Sequence, residues 1–286
     1  INASDDAITL GAVTLGSNTT VDTNAASSNT ADLTIAAVTG GSNTLTLSTE
    51  NNVANADITA SGAISGVTTL TLASVGGTAT LSADVDVTTL SVDNTVANVA
   101  FTGNGSSVTN SFTPANDGTF VFGASGGTQT YNGGLTTTSV GSTVTLNGTI
   151  NASDDAITLG AVTLGNNVTI DTNSTTTNTA DLTIAAVTGG SNTLTLSTEN
   201  NVANADITAS GAITGVTTLT LASVGGTATF AGDVDVTTLS VDNTVANVAL
   251  NGDGSSVTNA VSFANDGTLQ LGDASGDTLT FNGGLT

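Results

Sequence analysis

Two short acidic pairs are the residues best placed to do chemistry: Asp5-Asp6 in "SDD" and Asp84-x-Asp86 in "DVD". Each returns 149 residues later, as Asp154-Asp155 and as Asp233-x-Asp235. Two carboxylates flanking a glycosidic bond can act as acid and base, so glycan hydrolysis is the reaction such pairs could support. Nucleophilic catalysis has less to work with, because a hydroxyl needs a neighbouring base and the chain contains no lysine, arginine, histidine or cysteine. An active site is usually a unique place, whereas these pairs recur with a repeat. The expectation is therefore a protein that is not an enzyme and has no catalytic residues.

Calcium coordination is the other chemistry open to them. Alternate residues of one strand lie about 7 Å apart on the same face, so Asp84 and Asp86, like Asp233 and Asp235, could supply part of an oxygen shell that a neighbouring turn completes. The spacing is not that of an EF-hand loop, and the "GGxGxD" nonapeptide of calcium-binding rolls is absent. "NGDGSS" at Asn251 comes nearest, but its first copy, "TGNGSS" at Thr102, has no Asp. The alternative is a solvated acidic face. No other cofactor is expected.

Whatever these carboxylates do, a β-rich scaffold must position them. Threonine is the commonest residue, and Asn, Ser, Gly, Ala and Val supply most of the rest; proline occurs once, at Pro114. Branched Cβ atoms favour pleated strands, while Gly and Asn tolerate the positive φ of tight turns. Charged residues are 8% of the chain and all acidic, for a net charge of −23, yet 38% is hydrophobic and the mean hydropathy is +0.25, which argues against disorder.

The sequence says nearly the same thing twice. "INASDDAITLG" at Ile1 recurs at Ile150, and Asn29–Leu81 matches Asn178–Phe230 with two differences, Ser65/Thr214 and Leu81/Phe230. Fixed-period repetition marks a solenoid or array. Two continuous units follow, 1–149 and 150–286, the second a shortened copy.

Within a unit, "ADLT" at Ala31, "ADIT" at Ala56 and "ADVDV" at Ala83 begin similar runs at spacings of 25 and 27. Leu81, Ala83, Val85 and Val87 alternate with Ser82, Asp84, Asp86 and Thr88, the period-two pattern of a half-buried strand. No stretch has helical spacing with caps. The predicted fold is all-β: a parallel β-helix, or β-solenoid, of about 25 residues per turn and about twelve turns, with essentially no helix. Asn94 and Asn243, at recurring corners, are expected to form stacked amide ladders.

Runs such as "TVTLNGTINASDDAITLGAVTLG" from Thr143 and "FNGGLT" at Phe281 resemble the repeats of filamentous-haemagglutinin-like adhesins and autotransporter passengers, giant bacterial surface proteins. The resemblance spans essentially the whole chain. It implies a right-handed parallel β-helix, secreted or displayed at the cell surface, serving as fibre, sheath or adhesin stalk. The chain departs from that pattern in lacking an N-terminal secretion domain and in the uniformity of its long repeat.

The expected function is thus structural: part of an extracellular fibre of stacked repeats, whose partners are further copies of the repeat, in the same chain or end to end. A rival comes from the Thr-x-Thr runs at Thr44, Thr69 and Thr143, because flat threonine ladders on β-solenoids order water in several ice-binding proteins. The β propensity of threonine also produces such runs. A glycan-processing β-helix built on the Asp pairs is the remaining alternative.

Nucleic acid is excluded as a partner, because phosphate affinity comes from Lys and Arg displacing counterions, and anionic membranes are excluded likewise. No apolar run approaches the ~18 residues that span a bilayer. Asn-x-Ser/Thr triplets, as at Asn2 and Asn151, permit glycosylation, and surface glycans are candidate ligands of an adhesin. Without Lys or Arg, trypsin-like proteases find no cleavage site. The negative charge keeps parallel fibres apart.

Overall fold

The computed structural model describes residues 1–28, 30–50, 53–176, 179–199 and 202–286. The chain divides into two compact units, Ile1–Thr145 and Leu146–Thr286. Each is a parallel β-solenoid; together they hold about 13 turns, with no helix among the described residues. The protein is a repetitive β-helix, and no helix is long and apolar enough to cross a membrane.

Turn length follows from one column of inward residues. In the first unit Ile8 pairs with Leu33, Leu33 with Ile58, Ile58 with Ala79, Ala79 with Val99 and Val99 with Phe120, steps of 25, 25, 21, 20 and 21 residues. Ile157, Leu182, Ile207, Ala228, Val248 and Leu269 repeat the series in the second unit. The expected 25 residues per turn therefore holds for the first two steps of each unit only. The next steps shorten to about 21, before 23 from Val108 to Tyr131 and 24 from Val257 to Phe281, and the shorter turns raise the count from twelve to about 13.

The reason lies in one corner. From inward Leu47 to inward Ile58 the chain travels eleven positions, but from Leu72 to Ala79, their partners one turn on, it travels seven. The strand Ile64–Leu81 runs through this corner unbroken. "ADVDV" is consequently not the third member of the "ADLT", "ADIT" series. Val85 stacks on Ile64, in a different strand of the turn, and "TATL" occupies the expected place.

Side chains alternate along most of each strand as period two requires, and the alternation breaks at corners, as at the one that follows Leu81. Leu81 ends a strand, a bend covers Ala83, and Val85 opens the next strand, so Ala83 is half-buried while Leu81, Val85 and Val87 are buried. The core is a set of stacks, among them Leu45–Leu70–Leu90 and Val38–Ile64–Val85. Each buried Val, Leu or Ile contributes about 1.5–3 kcal/mol relative to exposure.

At the end of the first unit the stacks turn aromatic. Phe120 and Phe122 have ring centroids 4.0 Å apart, and Phe112 stacks on Tyr131 at 5.8 Å. The buried Tyr131 hydroxyl donates to Gln129 Oε1 at 2.9 Å, and Gln129 Nε2 donates to the Phe101 carbonyl at 2.8 Å, so neither buried polar group is stranded. Burial pushes the Tyr131 phenol well above its ordinary range.

Candidate functional site

Asp5 sits at φ +66°, a left-handed conformation that Asp tolerates better than most residues. Its Oδ1 accepts the N–H groups of Ala26, Ser27 and Ser28 at 2.9, 3.0 and 2.9 Å, and its Oδ2 accepts the Ser27 hydroxyl. Asp154 repeats the arrangement with the N–H groups of Thr175 and Thr176 at 2.9 and 3.1 Å and the Thr176 hydroxyl. These bonds, the Ser27 hydroxyl first, hold the Asp5 carboxyl far below the usual carboxylate range. Asp6 and Asp155 are exposed. In each "SDD" pair, then, the first carboxylate clamps the turn one coil further on and the second faces water.

Asp84 and Asp86 also divide. Asp84 Oδ1 accepts the Gly105 N–H at 2.7 Å, as Asp233 accepts that of Gly254 at 2.8 Å. Asp86 lies on the strand Val85–Val92, exposed at one wall of a shallow groove of about 300 Å³ shared with Ser42, Thr68, Thr88 and Thr109. Asp235 occupies the matching groove of about 400 Å³ in the second unit. Desolvation, then the Asp84 charge, pushes the Asp86 carboxyl up, against a lowering bond from the Ser107 N–H. Asp84 thus lies close enough to Asp86 for its charge to be felt there. Calcium takes six to eight oxygens, and among the described residues no three acidic side chains converge.

The sequence reading missed how systematically the outward Asp and Asn serve as clamps. Asp32 Oδ1 accepts the N–H of Asp57 at 2.9 Å, Asp57 Oδ1 that of Thr78 at 2.7 Å, and Asn98 Oδ1 that of Thr119 at 3.0 Å. Asp181, Asp206 and Asn247 do the same in the second unit. A usable signal was present: Asp32, Asp57 and Asn98 each directly precede an inward residue of one stack, Leu33, Ile58 and Val99. No family model, curated protein or solved structure matches the chain.

The expected amide ladders at Asn94 and Asn243 do not form. Asp93 Oδ1 accepts both the N–H of Thr95, at 2.9 Å, and its hydroxyl, closing a tight turn with exposed Asn94 at its tip. Asp242 and Thr244 do likewise around exposed Asn243. Amide contact between neighbouring turns occurs elsewhere, where Asn166 Nδ2 donates to Asn147 Oδ1 at 2.9 Å.

Two of the Thr-x-Thr runs, those at Thr44 and Thr69, are in register, whereas the run at Thr143 lies beside Phe120, outside their columns. Thr44, Thr69 and Thr89 stack in one column, and Thr20, Thr46, Thr71 and Ser91 in a second, with inward Leu45, Leu70 and Leu90 between them. The second unit builds the same pair of columns from Thr193, Thr218 and Thr238 and from Thr169, Thr195, Thr220 and Ser240. Chemically, the surface thus offers two things: carboxylates, many of them already engaged with backbone, and an ordered array of hydroxyls.

Proposed function

We propose that the chain is a structural, non-catalytic repeat of an extracellular fibre, sheath or adhesin stalk, of the kind built by filamentous-haemagglutinin-like adhesins and autotransporter passengers. Its mechanism is mechanical. Parallel ladders along the axis resist extension, the aliphatic column resists bending, and clamps such as Asp57–Thr78 pin each corner to the next turn. The acidic exterior carries no cation and keeps neighbouring fibres apart.

One observation carries this reading. Leu269, Leu271 and Leu285 are 39%, 40% and 44% exposed, whereas their counterparts one repeat earlier, Phe120, Phe122 and Leu135, are 0–1% exposed. Where Phe120, Phe122 and Leu135 are covered by the turn that follows them, this face takes a further turn of the same repeat, from the same chain or from another. Stacking there is heterologous and does not close, so it produces filaments rather than dimers.

Sedimentation velocity of residues 1–286 tests the reading. Mass should grow with concentration, and Leu271→Asp, which puts a charge on the open face, should return the protein to monomer. Growth that Leu271→Asp leaves untouched would place the contact elsewhere and remove the proposal's support.

A further inference from the structure

The paired threonine columns have properties that fibre mechanics does not require. Their rungs follow the strand stacking, about 4.8 Å apart, and the two columns stand about 6.6 Å apart as alternate residues of one strand. Register is unbroken across Thr44–Thr46, Thr69–Thr71 and Thr89–Ser91. Stacked strands with side-chain ladders are the circumstance in which a sheet stays flat. Threonine adds stiffness at χ1, so methyls and hydroxyls are held in place before anything binds.

Most of the hydroxyls are also free, those of Thr89 and Thr238 each accepting one asparagine bond. Among the described residues, those of Thr44, Thr46, Thr69 and Thr71, and of Thr193, Thr195, Thr218 and Thr220, take no hydrogen-bond partner within the protein. Elsewhere hydroxyls are used: Thr68 donates to the Ser42 carbonyl at 2.8 Å, and Thr49 to the Ala56 carbonyl at 3.1 Å. Asparagines frame the first column, with Asn18 Oδ1 accepting the Thr44 N–H at 3.0 Å and Asn110 Nδ2 donating to Thr89 Oγ1 at 2.9 Å. Asn167 and Asn259 frame its copy.

Charge is the third property. The chain carries −23, yet no carboxylate stands within these columns, and Asp22 and Asp171 stand beside only their first rungs, Thr20 and Thr169. The competing threonine column, Thr9–Thr34–Thr59–Thr80, runs beside Asp32 and Asp57, whose charges would orient water around themselves. A stiff lattice of methyls and hydroxyls, most of the hydroxyls unpaired, spaced on the scale of a crystalline water layer, orders water at little entropic cost.

From this we infer that the face formed by Thr44, Thr46, Thr69, Thr71, Thr89 and Ser91, with its copy in the second unit, binds ice. The inference rests on the fold and on this face, not on fibre assembly, so each can fail without the other.

The test is thermal hysteresis and ice-crystal shape, measured on residues 1–286 with ice itself as the probe. The wild-type chain should hold crystals at fixed size below the melting point and facet them. Thr69→Tyr with Thr218→Tyr, one bulky ring in each array, should abolish the gap, whereas Thr59→Tyr with Thr208→Tyr on the competing column should leave it unchanged. Circular dichroism establishes that each variant folds; should the Thr69 pair not fold, Thr71→Lys with Thr220→Lys poses the same question through charge. A wild-type chain without hysteresis overturns the inference, as does equal loss in the face and control variants or full retention in the face variant.

Discussion

The Asp57 carboxylate accepts the backbone N–H of Thr78 at 2.7 Å, and the Asp57 N–H donates in turn to the Asp32 carboxylate at 2.9 Å. Three successive turns are thereby joined through two side chains that a composition analysis counts only as negative charge. Asp57→Ala strands the Thr78 N–H at a corner and should lower stability by about 0.5–1.5 kcal/mol. Asp57→Asn should cost less, because an amide oxygen fills the same role at Asn98. Denaturant midpoints of the two variants provide the check.

Acid should act on the carboxylates with opposite signs. Asp5 is depressed by its hydrogen bonds, so its contribution is present above the ordinary carboxylate range and is lost as pH falls through its lower folded value. Asp86 is raised by desolvation and by Asp84, so its ionisation opposes folding, and that opposition is relieved as pH falls through its raised folded value. Carboxyl-carbon NMR titration should find Asp86 titrating before Asp5 on acidification. Asp5→Asn should flatten the acid limb of the stability curve.

The corner at Gly40 and Gly66 tolerates little. A Cβ on Gly40 would lie 2.4 Å from the Gly66 carbonyl oxygen and 2.5 Å from the Val67 nitrogen, both backbone atoms of the next turn. Gly66 itself, at φ +66°, is the extra residue where pairing slips between Ser65 and Val67. Gly40→Ala should destabilise by about 1–3 kcal/mol through overpacking, read as a lowered denaturation midpoint.

Equivalent apolar positions in the two units should respond differently. Phe122 is fully buried, and Phe122→Ala should cost about 3–5 kcal/mol. Leu271, its counterpart, is 40% exposed, and Leu271→Ala should cost far less in an unassembled chain. Thermal unfolding of both variants at low concentration measures the contrast.

The period-two alternation and the long repeat made the solenoid legible, because an inward Val or Leu on every second residue has few other ways to be buried. The position of each turn was less so. "ADVDV" looks like "ADIT", but strand stacking selects the inward residue and the corner length, and that placed Ala79 rather than Val85 above Ile58. The acidic candidates were legible as positions and not as roles: whether Asp5 faces a substrate or a backbone turn depends on what lies one coil away, about 20 residues on, which no local motif records. The threonine columns needed only the register, which is why their spacing in sequence was informative before their alignment was known.

The central claim, that solenoid turns of this repeat stack end to end into a fibre, is tested most directly by electron cryo-microscopy of residues 1–286 over a range of concentrations. Filaments should lengthen with concentration and give an axial layer line near 4.8 Å, the spacing of stacked strands. Dispersed single particles at every concentration, or filaments without that axial spacing, would contradict it.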